Sequence, residues 1–111
     1  MESILLTIKK KLGIEAEYTH FDEDIIVEIN SAFMALNDIG VGPESTFYIT
    51  GVNELWSDFL GKSKDLEAVK TYIYIKCRLV FDPPQSSFVL EALKEQAKEY
   101  EWRLSNRADK N

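Results

Sequence analysis

Between Ser63 and Pro83 the chain is apolar around most of a helix's circumference, and this stretch constrains the fold more than any other. Leu66, Val69, Ile73, Cys77 and Val80 recur at helical spacing, and Tyr72, Ile75 and Leu79 widen the stripe. A helix with so wide an apolar face must be touched from several sides. The pattern therefore predicts a central helix from Lys64 to about Phe81 in an all-α bundle. Ser63 is placed to cap it. Asp82-Pro83-Pro84 stops it, because the residue before a proline avoids helical geometry and Pro83 has no amide donor.

Three further long helices and one short one are expected around it. Ile4, Leu5, Ile8 and Leu12 are spaced for a helix over residues 2–12, which Gly13 ends. Lys9-Lys10-Lys11 fall in its last turn, where cations suit the negative end of the helix dipole, so a solvated helix end is preferred to a nucleic-acid contact. Thr19 or Asp22 can cap a second helix running to about Ile39, with Asp22-Glu23-Asp24 in its first turn and Ile25, Ile29, Ala32, Phe33 and Leu36 on one face. Gly40-Val41-Gly42-Pro43 opens the one irregular stretch. Within it Phe47-Tyr48-Ile49-Thr50 has the composition of a short strand or an extended loop wall. Asn53 can cap a short helix, residues 54–60, that aligns Trp56, Phe59 and Leu60 as core. Ser86 or Ser87 caps a last helix to about Leu104, with Val89, Leu93, Gln96, Ala97, Tyr100 and Leu104 as its stripe and Phe88, Ala92 and Trp102 partly off it. Glu99 and Arg103 are set for an i,i+4 pair. The expected organisation is a single helical domain over residues 1–105 and a polar, flexible tail over residues 106–111.

The totals agree with one small domain. The chain has 111 residues, of which 45% are hydrophobic, enough to build a core without a disulfide or a metal. Its formal net charge is −6, with a pI near 4.8. The basic run at Lys9 is followed at once by Glu15, Glu17, Asp22, Glu23, Asp24 and Glu28, so gripping DNA is not expected as the main task. No apolar run approaches the roughly 20 residues of a membrane span. Lysines interrupt the N-terminal apolar stretch by Lys9, which argues against a signal peptide and for a protein made in the cytoplasm.

Residues that could carry chemistry are few. Cys77 lies in an apolar helix and reads as a buried small hydrophobe. The single histidine, His20, is far from it in sequence, so no thiol–base pair is indicated. The acidic cluster lacks the alternating ligands and central glycine of a calcium loop. There is no Cys/His set for zinc and no phosphate-binding glycine loop. Asp58, between Trp56 and Phe59, is the nearest thing to a carboxylic acid in an apolar setting. No enzyme activity, cofactor or metal is expected.

Longer stretches carry a resemblance. Trp56-Ser57-Asp58-Phe59-Leu60-Gly61, the run from Asp65 to Lys76, and Phe81-Asp82-Pro83-Pro84-Gln85-Ser86-Ser87 resemble the head–tail connector (adaptor) family of long-tailed phages and prophages, some of whose members are labelled DNA-packaging proteins. Phe21-Asp22-x-Asp24-Ile25-Ile26, Asn30-Ser31-x-Phe33-Met34-x-Leu36, Gly40-Val41-Gly42 and Glu101-Trp102-Arg103-Leu104 are similar to the family as well. The resemblance covers nearly the whole chain. It implies a non-catalytic helical-bundle subunit of a closed ring of about twelve copies in the virion neck. The ring would sit beneath the portal protein, extend the DNA channel without specific DNA binding, and dock the next connector or tail protein. An acidic subunit suits a channel through which DNA must slide. The segment from Glu15 to Glu28 or the loop from Pro43 to Asn53 would supply lumen or subunit contacts, and the last helix with its tail would reach the portal. Trp102 and Arg103, residue types enriched at interfaces, are candidates for inter-subunit contact. Phe47 and Tyr48, on the irregular loop, are a second candidate pair. The competing readings are a phage DNA-packaging factor, which would call for a basic recognition helix, and a phage or prophage regulatory interaction protein, which would be absent from the purified virion.

Overall fold

A computed structural model describes residues 2–61 and 63–109. Its helices are α1 (Ile4–Lys11), α2 (Asp22–Asp38), α3 (Trp56–Leu60), α4 (Leu66–Phe81) and α5 (Ser87–Asp109). The fold is all-α, and among the described residues there is no strand, only an isolated bridge between Ser3 and Leu55. Helix α4 is central as its wide apolar face requires: α1, α2 and α5 all pack on it, and Val69, Tyr72, Ile73, Ile75 and Cys77 are buried.

Helices α4 and α5 form an antiparallel hairpin around the proline turn. Tyr72 donates its hydroxyl to Glu101 at 2.6 Å, while Asp65 at the start of α4 pairs with Arg107 near the end of α5. The turn is closed by the amide of Asp82 donating to Arg78 at 2.8 Å, and Ser86 Oγ accepts from Val89 to start α5. Helix α5 continues to Asp109, beyond the expected end at Leu104. Residues 106–109 are thus helical, with Ala108 packed on the core, and the last two residues of the expected tail lie outside the described residues.

The segment Phe47–Thr50 lies outside the helices and is not a strand. Its backbone hydrogen bonds go to a side chain: Asn30 Nδ2 donates to the Ile49 carbonyl at 3.0 Å, and the Ile49 amide donates to Asn30 Oδ1 at 2.7 Å. One amide group thus makes both bonds that a neighbouring strand would make, and Ile49 is buried. Asn37 holds the start of the same loop through the carbonyls of Pro43 and Glu44. Just before Pro43, Gly42, at φ +95°, lets the backbone cross directly over the Phe59 ring, where a Cβ would collide.

Helix starts differ from expectation at three points. Neither Thr19 nor Asp22 caps α2. Asn53 does not start α3; instead Asp58 turns back to accept from the amide of Leu55 at 2.8 Å. Ser63 accepts from the amide of Asp65 at 3.1 Å, a turn earlier than a true cap of α4. At α1 Ser3 is the cap, with Oγ accepting from Leu6.

The lysine run is not uniformly solvated. Lys9 is 1% exposed. Its ammonium donates to the carbonyls of Ala16 and Tyr18 at 3.1 and 2.7 Å and lies 2.8 Å from Asp22 Oδ1. The approach to Asp22 is off the hydrogen-bonding direction, so that contact is an ion pair while the directed bonds go to the two carbonyls. Lys9 therefore ties the α1–α2 loop to both of its helices, which is where Asp22 is engaged instead of capping.

Candidate contact surfaces

Burial, with the Glu28 charge second, pushes the Cys77 thiol up from an ordinary 9.0 to about 12, so at neutral pH it is not a nucleophile. His20 is exposed and stacks with Phe21, ring centroids 4.8 Å apart, and with Tyr18. Asp58 is exposed and occupied at the start of α3. No group of three or more His, Cys, Asp or Glu among the described residues is arranged to hold a metal ion. No helix is long and apolar enough to cross a membrane.

What the molecule presents is surface. Of the four residues expected at interfaces, Trp102 is 68% exposed on α5, immediately before Arg103, whose guanidinium lies 2.6 Å from the Glu99 carboxylate. Tyr48 points out of the loop and is 63% exposed. Phe47 turns inward: its ring centroid lies 5.0 Å from Phe33 and 5.4 Å from Phe59, in a three-ring cluster that also touches Trp56 through Phe33. Phe47 is half-buried and helps anchor the loop from which Tyr48 projects. Trp56 is itself core, with its indole donating to Thr7 at 3.0 Å and the Lys70 ammonium over its ring.

Two further surface features lie outside the contact residues expected from the sequence. Phe88, in the first turn of α5, is 82% exposed, the most exposed of the large hydrophobic residues among those described. It stands beside Glu91 and Glu95 on the outer side of the helix. Leu6 projects from α1 away from the bundle, and a groove of about 560 Å³ runs along it between Glu2 and Lys10-Lys11. Both were legible: Leu6 is the one leucine of α1 outside the Ile4–Leu5–Ile8–Leu12 stripe, and Phe88 lies off the stripe of α5. At the α4–α5 turn a further groove of about 520 Å³ is walled by Leu12, Ile14, Phe21, Val80 and Phe81.

A small helical bundle that shows large apolar side chains among charges has the kind of surface through which proteins make contacts. Compared with known families, the chain matches the model described as phage connector protein over residues 4–111, and it belongs to that family. The family is one of phage structural proteins, whose interactions are with other proteins of the virion. No curated protein and no solved structure matches the chain.

Proposed function

We propose that this chain is a subunit of the head–tail connector of a long-tailed phage. In this reading copies form a ring under the portal, extend the DNA channel and present a surface to the next connector or the tail, without catalysis. The observation that carries the reading is the family match along nearly the whole chain. Two features of the molecule support it. Helix α2 has five acidic residues and no basic one, and Glu23, Asp24 and Asp38 are exposed, the kind of wall that repels phosphates and lets DNA slide. The domain is also a slab, 38 × 36 × 19 Å, with outward apolar residues on several helices, as a subunit needs if it is to touch neighbours on more than one side.

The test is electron microscopy of a lysate from a phage whose copy of this gene carries an early stop. DNA-filled capsids accumulating beside free, finished tails are the expected outcome. Normal tailed particles would reject the connector reading and favour a regulatory role.

A further inference from the structure

We propose that the outer face of α5 around Phe88 docks into the α1 groove of a second copy of this chain, so that copies associate head to tail. The inference rests on the ring reading above and names the surfaces that would form it.

Phe88 supplies the projecting group. An exposed phenyl ring brings an aromatic anchor of the kind that dominates interface energetics once it is enclosed. On its own subunit nothing encloses it, because the bundle begins to bury α5 well only further along, at Ala97 and Leu104. The α1 groove supplies the receptor. Leu6 is its exposed apolar side chain, and Lys10 and Lys11 line it further along the helix. Neither lysine has an ion-pair partner among the described residues. The acid that also lines the groove, Glu2, is already committed to Lys70 at 2.6 Å, and that contact holds its carboxyl below the ordinary range.

The charges around the two features are opposite. Glu91 and Glu95 flank Phe88, while Lys10 and Lys11 flank Leu6. The present partners of the two glutamates are Lys94 and Lys98, at 3.5 and 3.7 Å on a fully exposed helix face, pairs weak enough to exchange. Docking Phe88 over Leu6 would bring two carboxylates against two unpaired ammonium groups and cover both apolar side chains.

The two surfaces share no residue, so one copy can use both at once. An interface between different patches is heterologous, and repeated from copy to copy it produces a ring when the rotation closes. A dimer made from one self-complementary patch would stop at two.

Crosslinking tests this directly, because the native chain has one cysteine and it is buried. Glu2 lines the α1 groove and Ala92 lies beside Phe88, both exposed, so E2C and A92C leave the core, Leu6 and Phe88 intact. Purified protein and phage particles carrying E2C/A92C are treated with a bismaleimide and separated under denaturing conditions. A ladder extending beyond dimer is expected from the double variant, and none from either single variant. Adding E91K/E95K should remove the ladder, and K10E/K11E on top of that should restore it. Dimers from A92C alone would overturn the proposal in favour of a symmetric α5 contact. A crosslink from A92C to another virion protein would overturn it in favour of that partner. Particles that contain the chain but yield no ladder would overturn the docking and leave the connector reading standing. A ladder from purified protein with no chain in the particles would support the docking and reject the connector reading.

Discussion

Lys9 stands beside two exposed lysines in sequence, yet its ammonium is enclosed by two carbonyls of the α1–α2 loop and the carboxylate that begins α2. A buried cation is tolerable only when it is paired and hydrogen-bonded. Here it acts as the pin that fixes the loop. Lys9→Met keeps the length of the stem and deletes the charge, leaving the Ala16 and Tyr18 carbonyls and Asp22 without it. Breaking a buried ionic contact from one side costs about 3 kcal/mol. Urea denaturation should show that loss for Lys9→Met, while Lys10→Met, exposed on the same helix, should stay within about 0.5 kcal/mol of the native protein. Equal effects from the two substitutions would mean that Lys9 is not the pin. The distinction was available in the sequence, since Lys9 follows Leu5 by four residues and so falls on the edge of the stripe that packs inward. Reading the three lysines as one basic run hid it, because the run looked like a dipole effect complete in itself.

At the scale of elements, the Ile49 end of the irregular segment between α2 and α3 is held by one side chain of α2, Asn30. Asn30→Ala should release it: two hydrogen bonds to the Ile49 backbone disappear, and the partly buried amide and carbonyl are left unpaired, at a cost of about 2 kcal/mol. The specific readout is hydrogen exchange at the Ile49 amide, which should accelerate far more in Asn30→Ala than in Asn30→Asp, where an acceptor for that amide remains. An unchanged Ile49 rate in Asn30→Ala would show that burial of the Ile49 side chain alone holds the segment. The same segment marks the limit of what was legible. Helices α2 and α4 follow from periodicity, since their buried residues are the ones the spacing picks out, and Trp56 and Phe59 are core as their spacing implies. Phe47–Thr50 has the aromatic and β-branched composition of an extended chain, and it forms no strand. Composition says nothing about what an extended chain pairs with, and here the partner is a side chain nineteen residues earlier. The end of α5 was misplaced for a related reason: its last turn is polar, and it is held by Arg107 reaching Asp65 across the hairpin, a contact that no local pattern displays.

For the whole molecule the decisive property is where its charge lies. A net charge of −6 does not by itself exclude a basic face, so the placement of the cations matters. Lys9 is buried, Lys70 is shared between Glu2 and Glu67, and Lys94, Lys98 and Arg103 each have a glutamate three or four residues before them on α5. Arg107 reaches Asp65, and the described chain otherwise carries Lys10 and Lys11 on α1, Lys64 just before α4, and Lys76 and Arg78 on α4, so no element gathers more than two such cations, short of the several phosphate contacts that give a protein measurable hold on duplex DNA. The acids, by contrast, run along α2 without a cation among them, so a ring of such subunits would repeat an acidic surface and not a basic one. Duplex DNA should therefore show no mobility shift at 50 mM salt at protein concentrations up to about 100 µM, the weak end of ordinary non-specific binding. Tight retention that fades as salt is raised would revive the packaging-factor reading. If K10E/K11E then abolished that retention, α1 would be a DNA-binding face, and the groove assigned above to a neighbouring copy would belong to nucleic acid.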